Sequence, residues 1–314
     1  MGTNIVNVAS GVDNNYVFPL LVMLNSARDN SFKDINFYLG YSGSSLSIQN
    51  RNRISKVCRI LDISVEFVEL KYDLDTNISK SSHLTEVTYY RLLLADQLHQ
   101  TFLWLDSDII LFKSWDSIFD QYEKNEVDII ALAIQDPIVL ENSDLVKTNL
   151  ALKLSGNEYF NAGVLMINPV LWRTNKLDVF WKTLISRYSE YGFKFQDQDV
   201  LNYTLRGRVK LIPAEYNFIV SRNFSSNRGI PFIVHYAGAL KPWHIPPYLI
   251  WRLPIENRKI YLAYYSNALK LMFRVFKKDL RTFIYLYICF QKSLNFFEVL
   301  KVVFNKLKAM KKNF

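Results

Sequence analysis

The sequence predicts an α/β protein with a mainly parallel sheet flanked by helices. Three observations carry that expectation. Short apolar runs alternate with longer amphipathic segments, the pattern of strand–helix–strand units. The run Phe102-Leu103-Trp104-Leu105 is apolar without a break, as a strand covered on both faces requires. Half of the 314 residues are apolar and 15% are aromatic, enough for a sizeable core and too much for a disordered chain.

In order, Ile5–Ser10 reads as a first strand, followed by a polar loop over Gly11–Tyr16. Phe18–Arg28 has helical periodicity, with Pro19 tolerated in the first turn. Ile35–Leu39 reads as a second strand, Ser47–Leu61 as an amphipathic helix and Val65–Val68 as a third strand. Leu84–Leu98 reads as a helix leading into the strand at Phe102, and Asp128–Ala133 as one more strand. In open α/β sheets ligands sit outside the carboxyl ends of the strands, which is where the loop at Asp13–Tyr16 falls.

The stretch that organises the chain is Phe102–Leu111, in which two apolar runs flank Asp106-Ser107-Asp108. An ionised carboxylate at the end of a buried strand must be paired or must bind a cation. In extended backbone, positions i and i+2 share a side, so Asp106 and Asp108 can converge on one hard cation such as Mg²⁺ or Mn²⁺. A polar turn after a strand has the same tripeptide. No G-x-G-x-x-G follows the first strand and no G-x-x-x-x-G-K-[ST] occurs, so a diphosphate would have to be neutralised by other means, a metal being the natural candidate.

Three later clusters stand out. Tyr159–Asn168 opens a strand with the small residues Ala162 and Gly163, which let backbone approach a ligand. Phe195–Asn202 holds Gln196, Asp197, Gln198 and Asp199 ahead of a helical run, a pattern that ordinary helix N-terminal chemistry also produces. His235 follows an apolar run, as core histidines do, but Gly238, Lys241 and Pro242 come close behind and suit a tight loop carrying a cation.

Together with D-x-D, the ordered elements N-A-G-V, D-Q-D and H-x-x-G-x-x-K-P-W resemble glycosyltransferase family 8 over roughly residues 4–250. The resemblance implies a GT-A fold and a metal-dependent, retaining hexosyltransferase. It assigns Asp106, Asp108 and His235 as ligands of Mn²⁺, with Mg²⁺ as the alternative ion. It assigns Lys241 and Gly238 to the donor diphosphate, and Asp13, Asn15 and Tyr16 to uracil and ribose. Asn14 stands where the family usually has a second acid. Arg91 matches an arginine that reaches the donor, although a surface helix cation is the plain alternative. Ser107 falls among the donor-binding residues. Asn161, Ala162, Gly163, Asp197 and Gln198 match residues that line the donor sugar, and Asp136 resembles a sugar-facing acid. Gln198, Asp197 and Asp136 are the catalytic candidates. Whether retention proceeds through two displacements or by same-face attack stays open, since an amide is a poor nucleophile. The implied donor is UDP-glucose or UDP-galactose. The implied acceptor is lipid-linked, such as lipopolysaccharide or lipooligosaccharide, or another glycan. A decayed sugar-binding protein and a sugar-1-phosphate nucleotidyltransferase are the rival readings. The four residues Asp106, Asp108, His235 and Lys241 argue against decay, and the lack of a Gly-rich basic loop after the first strand argues against the nucleotidyltransferase.

The charge is unevenly placed. Residues 257–314 hold thirteen basic residues and two acids, a net +11, which leaves residues 1–256 at −2 within the chain's total of +9. That division suggests a catalytic domain over 1–256 and a helical, basic and aromatic tail over 257–314. Such a tail suits an anionic membrane surface, or else packs on the catalytic domain or on another subunit. No nucleic-acid module is recognisable. The N-terminus lacks the pattern of a signal peptide, and no run approaches the roughly 18 apolar residues of a membrane span. Cys58 and Cys289 are too far apart in sequence for a C-x-x-C site. A cytoplasmic protein on the inner face of the membrane is the expectation.

Overall fold

The computed structural model describes residues 5–71, 86–123, 128–137, 158–193, 195–220, 231–238, 241–245, 247–253 and 255–293. The strands are β1 (Ile5–Gly11), β2 (Asp34–Tyr41), β3 (Ile63–Glu69), β4 (Phe102–Leu105), β5 (Ile109–Leu111), β6 (Ala131–Gln135), β7 (Phe160–Ile167), β8 (Val209–Leu211), β9 (Phe218–Ile219) and β10 (Ile233–His235). The helices are α1 (Val17–Asp29), α2 (Ile48–Ile60), α3 (Tyr90–Gln97), α4 (Ser117–Glu123), α5 (Pro169–Thr174), α6 (Leu177–Ser186), α7 (Tyr188–Tyr191), α8 (Gln196–Thr204), α9 (Pro247–Ile250), α10 (Ile255–Phe276) and α11 (Leu280–Ser293).

Seven strands form one sheet in the order β3-β2-β1-β4-β7-β6-β8, and β5-β10-β9 form a second. The block β3-β2-β1-β4 is parallel, as is β6 with β8, while β7 runs antiparallel to both β4 and β6. The α/β reading therefore holds, with one reversed strand at its centre. Phe102 and Trp104 of β4 enter one hydrophobic cluster, with Tyr90, Leu94, Trp172 and Trp181. Leu103 and Leu105 enter the other, with Val8, Leu20, Val164 and Met166. Both faces of β4 are thus covered, which is why its sequence shows no alternation of apolar and polar residues.

Some boundaries differ from the periodicity reading. The helix expected over Leu84–Leu98 is a 3₁₀ turn at Glu86–Tyr89 followed by α3, and its predicted start lies outside the described residues. The strand expected from Asp128 begins at Ala131. Asp106 to Asp108 are not extended backbone: they form the turn in which the chain leaves β4 in the large sheet and enters β5 in the small one.

The pairing of β6 with β7 shifts between Ala133 and Ile134, from Leu165 to Asn161, so residues 162–164 have no partner in β6. A shift of this kind bends a strand and re-aims its side chains. Here the unpartnered stretch reaches the end of β4, where Asp106 N–H donates to the Gly163 carbonyl at 3.0 Å.

The start of the basic segment belongs to the core. α10 buries Tyr261, Tyr264, Tyr265, Ala268, Leu271, Met272 and Val275 at helical spacing, in the cluster that also holds α1. Arg274 donates to Asn25 and pairs with Asp29, and Lys56 of α2 pairs with Asp279 at 2.8 Å. The opposite side exposes Phe273, Phe276, Leu280, Ile284, Tyr287 and Ile288 among Lys277, Lys278 and Arg281. Residues 294–314, with the aromatics Phe296, Phe297 and Phe304, lie outside the described residues. No helix among the described residues is long and apolar enough to cross a membrane.

A candidate divalent-cation and donor site

The turn after β4 and the end of β10 meet because β10 pairs antiparallel with β5, placing His235 opposite Ile109. Tyr236 N–H donates to the Asp108 carbonyl at 3.0 Å and locks that meeting. One ligand atom each from Asp106, Asp108 and His235 lies within 4.8 Å of the others. His235 Nε2 is 3.3 Å from Asp108 Oδ1 and 3.8 Å from Asp106 Oδ2.

The two carboxylates divide their oxygens between the protein and this meeting point. Asp106 Oδ1 accepts from Trp104 Nε1 at 2.8 Å and lies 3.1 Å from Arg91, which leaves Oδ2 toward His235. Asp108 Oδ2 accepts from Lys241 Nζ, which leaves Oδ1 toward His235. Fixing the outer oxygen of a carboxylate orients the inner one, as partners around metal ligands commonly do. Burial works against ionisation of Asp108, but Lys241 and His235 outweigh it and hold the carboxyl well below the usual range. Two carboxylate oxygens and one imidazole nitrogen make a donor set that fits a divalent ion such as Mn²⁺.

Gly163 completes the cradle. A Cβ there would lie 2.2 Å from His235 Cε1 and 3.0 Å from Asp106 Oδ2. Its N–H donates to Asn161 Oδ1 at 3.0 Å, and its carbonyl accepts from Asp106 N–H at 3.0 Å. The resemblance implied that Gly163 brings main chain to a sugar. The structure shows a second use for it, making room for the histidine.

Arg91 is buried rather than a surface cation. It stacks over Trp104 at 5.0 Å, donates to the carbonyls of Thr88 and Ala162, and bridges Asp106 to Asp197, which lies 3.4 Å away. Even with that partner, burial pushes the Asp197 carboxyl up to about 6, and the negative charge of Asp106 adds to the push. Asp197, Gln198 and Asp199 stand at the start of α8, just after Gln196, whose φ of 47° is left-handed. Such backbone costs about 1–3 kcal/mol in a non-glycine residue and persists where surrounding contacts enforce it. Asp199 supplies two of those contacts, accepting from Phe195 N–H at 2.8 Å and from the Tyr159 hydroxyl at 2.5 Å.

Gln198 Oε1 accepts from Ala162 N–H and from Asn161 Nδ2, both at 3.1 Å. Gln198 Nε2 and Asn161 Nδ2 both donate to Asp136 Oδ2, at 3.1 and 3.2 Å. Asn161, Gln198 and Asp136 thus form one closed cluster beside the triad.

Across the site, Asp13 Oδ1 accepts from the N–H groups of Asn15 and Tyr16, which closes the loop after β1. Asn14 Oδ1 accepts from Ser47 N–H at 2.9 Å and Asn50 Nδ2 at 2.8 Å. The amide in place of the family's usual acid therefore pins this loop to the start of α2. Tyr16 packs edge-on against Trp243, 5.8 Å between centroids. Burial raises its hydroxyl, while Lys241 pulls it down. Ser107 is half-buried at the tip of the turn. Gly238 has φ 103°, a conformation that favours glycine. Lys241 is buried and also donates to the Tyr236 carbonyl at 3.0 Å.

Two contributors escaped the sequence reading. Trp104 sits in the apolar run and reads as core, yet its indole N–H anchors Asp106. An indole two residues from a carboxylate was the available signal. Asn217 is buried between His235 and Asn161, and a lone asparagine between two short strands carries no signal at all.

An open, mainly parallel sheet with an Asp-x-Asp turn and a facing histidine at the carboxyl ends of its strands defines a GT-A glycosyltransferase. The chain belongs to glycosyl transferase family 8, whose model matches residues 7–245. It is 27% identical over 264 residues to a lipopolysaccharide 1,2-glucosyltransferase of Escherichia coli, covering 76% of this chain and 73% of that protein. It is 24% identical to the lipopolysaccharide 1,3-galactosyltransferase of Salmonella typhimurium, with the same coverage of 76% and 73%. Among solved structures it superposes on the galactosyltransferase LgtC, crystallised with donor and acceptor sugar analogues. The TM-score is 0.64 at 25% identity, over 76% of this chain and 90% of that one.

Proposed function

We propose that this chain is a retaining hexosyltransferase. It moves galactose or glucose from UDP to a hydroxyl of a glycan of the lipopolysaccharide or lipooligosaccharide type. The observation that carries this reading is the convergence of Asp106 Oδ2, Asp108 Oδ1 and His235 Nε2 beside the loop Asp13–Tyr16. Relatives named for glucose and for galactose transfer support both donors.

Asp106, Asp108 and His235 hold a divalent ion, Mn²⁺ before Mg²⁺, because an imidazole sits in the donor set. That ion, when bound, supplies Lewis-acid stabilisation of the charge that develops on the leaving diphosphate. Lys241 has three ammonium hydrogens. Asp108 and the Tyr236 carbonyl engage two, and the third serves a phosphate oxygen, with the backbone at Gly238 alongside. Asp13, Asn15 and Tyr16 receive uracil and ribose, and Ser107 completes the wall. Arg91 holds Asp106 and Asp197 in place at the donor. Asn161, Ala162, Gly163, Asp136, Asp197 and Gln198 line the hexose. Gln198 Oε1 already accepts two hydrogen bonds, which disfavours it as a nucleophile and supports same-face attack by the acceptor hydroxyl, its proton passing to the departing UDP. The exposed aromatic and basic side of α10–α11 suits an anionic membrane surface on the cytoplasmic side, where a lipid-linked acceptor is presented.

The test is UDP release from UDP-galactose, UDP-glucose and UDP-N-acetylglucosamine, with and without Mn²⁺, against lipooligosaccharide, polysaccharide and glycoprotein acceptors. The expected result is release from one UDP-hexose that needs acceptor, stops on chelation and falls at least about 100-fold in Asp108→Asn. Folded protein that binds UDP-sugars and turns over none of them would make the chain a binding protein. Transfer to a polysaccharide or protein alone would keep the donor half of the reading and replace the acceptor.

A further inference from the structure

Asn217 stands in the segment between the 3₁₀ turn Ala214–Tyr216 and β9, and it is 1% exposed. Its amide touches two groups. One end is 3.1 Å from His235 Nδ1 and the other is 2.9 Å from Asn161 Oδ1. Side-chain amides and imidazoles do not announce which atom carries hydrogen, so the orientation must come from a group whose role is fixed. Gly163 supplies it. A backbone N–H can only donate, so the Asn161 atom it meets at 3.0 Å is the oxygen. The Asn217 atom facing that same oxygen must then be the NH₂, and the atom facing His235 must be Oδ1. An amide oxygen only accepts, so Nδ1 of His235 carries a hydrogen in the neutral ring as well as in the imidazolium. With Nδ1 so occupied, Nε2 is the nitrogen whose lone pair the ring can offer to an ion held between Asp106 and Asp108.

The other branch of the chain is fixed just as firmly. Ala162 N–H donates to Gln198 Oε1, so Gln198 Nε2 is the end that reaches Asp136. The Asn161 NH₂ meets Gln198 Oε1 and Asp136 Oδ2. Each of these contacts pairs a donor with an acceptor.

We infer that Asn217 is a positioning residue: it sets the tautomer of His235 and ties the Asp106–Asp108–His235 triad to the Asn161–Gln198–Asp136 cluster. The inference about metal affinity rests on the reading of the triad as a divalent-ion site. The inference about the tautomer stands on the hydrogen-bond directions alone. Asn217 lies behind the imidazole and touches no ligand atom of the triad other than through that ring. Its oxygen does for His235 what carboxylates and carbonyls do behind metal-bound histidines, where loss of the partner commonly lowers metal affinity 10–100-fold. Its NH₂ does a separate task, donating to the Asn161 Oδ1 that Gly163 N–H also meets.

The two ends of one amide can be tested apart. Asn217→Leu removes both. Asn217→Asp keeps an acceptor for His235 and replaces the donor facing Asn161 with an oxygen. Nitrogen-15 correlation spectra of the full chain report the tautomer directly, and with only four histidines the His235 signals are assignable by a His235→Gln control. The neutral ring in the native protein should be the Nδ1–H form. In Asn217→Leu it should become a mixture, with Mn²⁺ affinity down 10–100-fold by calorimetry. In Asn217→Asp the tautomer should be retained and Mn²⁺ affinity should stay within about threefold, while the KM for UDP-hexose rises.

An Nε2–H ring in the native protein would overturn the inference. So would Asn217→Leu with an unchanged tautomer and unchanged Mn²⁺ affinity, or Asn217→Asp losing Mn²⁺ as the leucine variant does. If Asn217→Leu does not fold, the native spectrum and the aspartate variant decide alone. Native protein that binds no Mn²⁺ would end the ion reading, and the ring spectrum would still judge Asn217.

Discussion

Replacing Gly163 by alanine would build a methyl carbon 2.2 Å from His235 Cε1, 2.6 Å from Nδ1 and 3.0 Å from Asp106 Oδ2. The first of these must open by at least about 1.2 Å to reach ordinary van der Waals separation. The imidazole has little freedom to retreat. It is 3% exposed, its strand is paired on both sides, and Asn217 holds its Nδ1. Metal–ligand distances tolerate only about ±0.2 Å, so the forced shift is several times what an intact site accepts. We expect Mn²⁺ affinity to fall at least about 100-fold, or roughly 2.8 kcal/mol, with a stability loss of about 1–3 kcal/mol from overpacking. Gly40→Ala is the matched control. Its new Cβ would meet the Leu70 and Leu94 side chains at 2.9 and 3.2 Å, away from the triad. Calorimetric titration of Mn²⁺ into both variants, with thermal unfolding of each apo protein, separates crowding from loss of the site. Gly163→Ala that binds Mn²⁺ within threefold of the native protein would refute the cradle.

Other outcomes follow from the charges and from the terminal helices. Asp197, pushed up to about 6 by burial, titrates above its unfolded range near 4. Between those values the native state holds a proton that the unfolded chain has released, so this group makes stability fall as pH rises from about 4 to 6, by roughly 2–3 kcal/mol. Asp197→Asn should flatten that part of the stability profile, and an unchanged slope in urea melts across this window would count against the assignment. Arg91→Met should cost about 3–5 kcal/mol in denaturant unfolding, because it strips the cation from Asp106 and Asp197 together. Arg91→Lys should recover little, since one ammonium cannot copy the guanidinium fork, and full recovery would show that charge alone matters. Ending the chain before Tyr264 should prevent folding, because Tyr264, Tyr265, Ala268, Leu271 and Val275 lie in the core. Serine at Phe273, Phe276, Leu280 and Ile284 should instead leave the melting temperature within a few degrees and abolish sedimentation with anionic vesicles, and persistent sedimentation would end the membrane reading of this surface.

Much of this was legible because chemistry and periodicity coincided. The alternation of strands and helices gave the layout, and the absence of a glycine-rich phosphate loop pointed to a metal. The pairing of Asp106 with Asp108 was legible for a reason that holds only in part. Their convergence does not come from the two-residue repeat of a strand. It comes from a turn whose outer oxygens are held by Trp104, Arg91 and Lys241. The reversal of β7 was not legible, because an apolar run over Phe160–Ile167 records burial and not direction. Asn217 was not legible either, since its role exists only where three distant segments meet.

The small sheet gives the candidate site a dependence on folding accuracy. Three rungs join β10 to β5, flanked by the bonds Tyr236 N–H to Asp108 O and Phe112 N–H to Phe232 O, and this short ladder sets which side chain stands opposite Ile109. A slip by one position would bring Val234 or Tyr236 there and turn the imidazole to the other face, while leaving nearly the same number of ladder bonds. An isopropyl group or a phenol in that place could not share a divalent ion with two acids. A divalent ion bound as proposed would then act as a proofreader during refolding, favouring the aligned register over the slipped one.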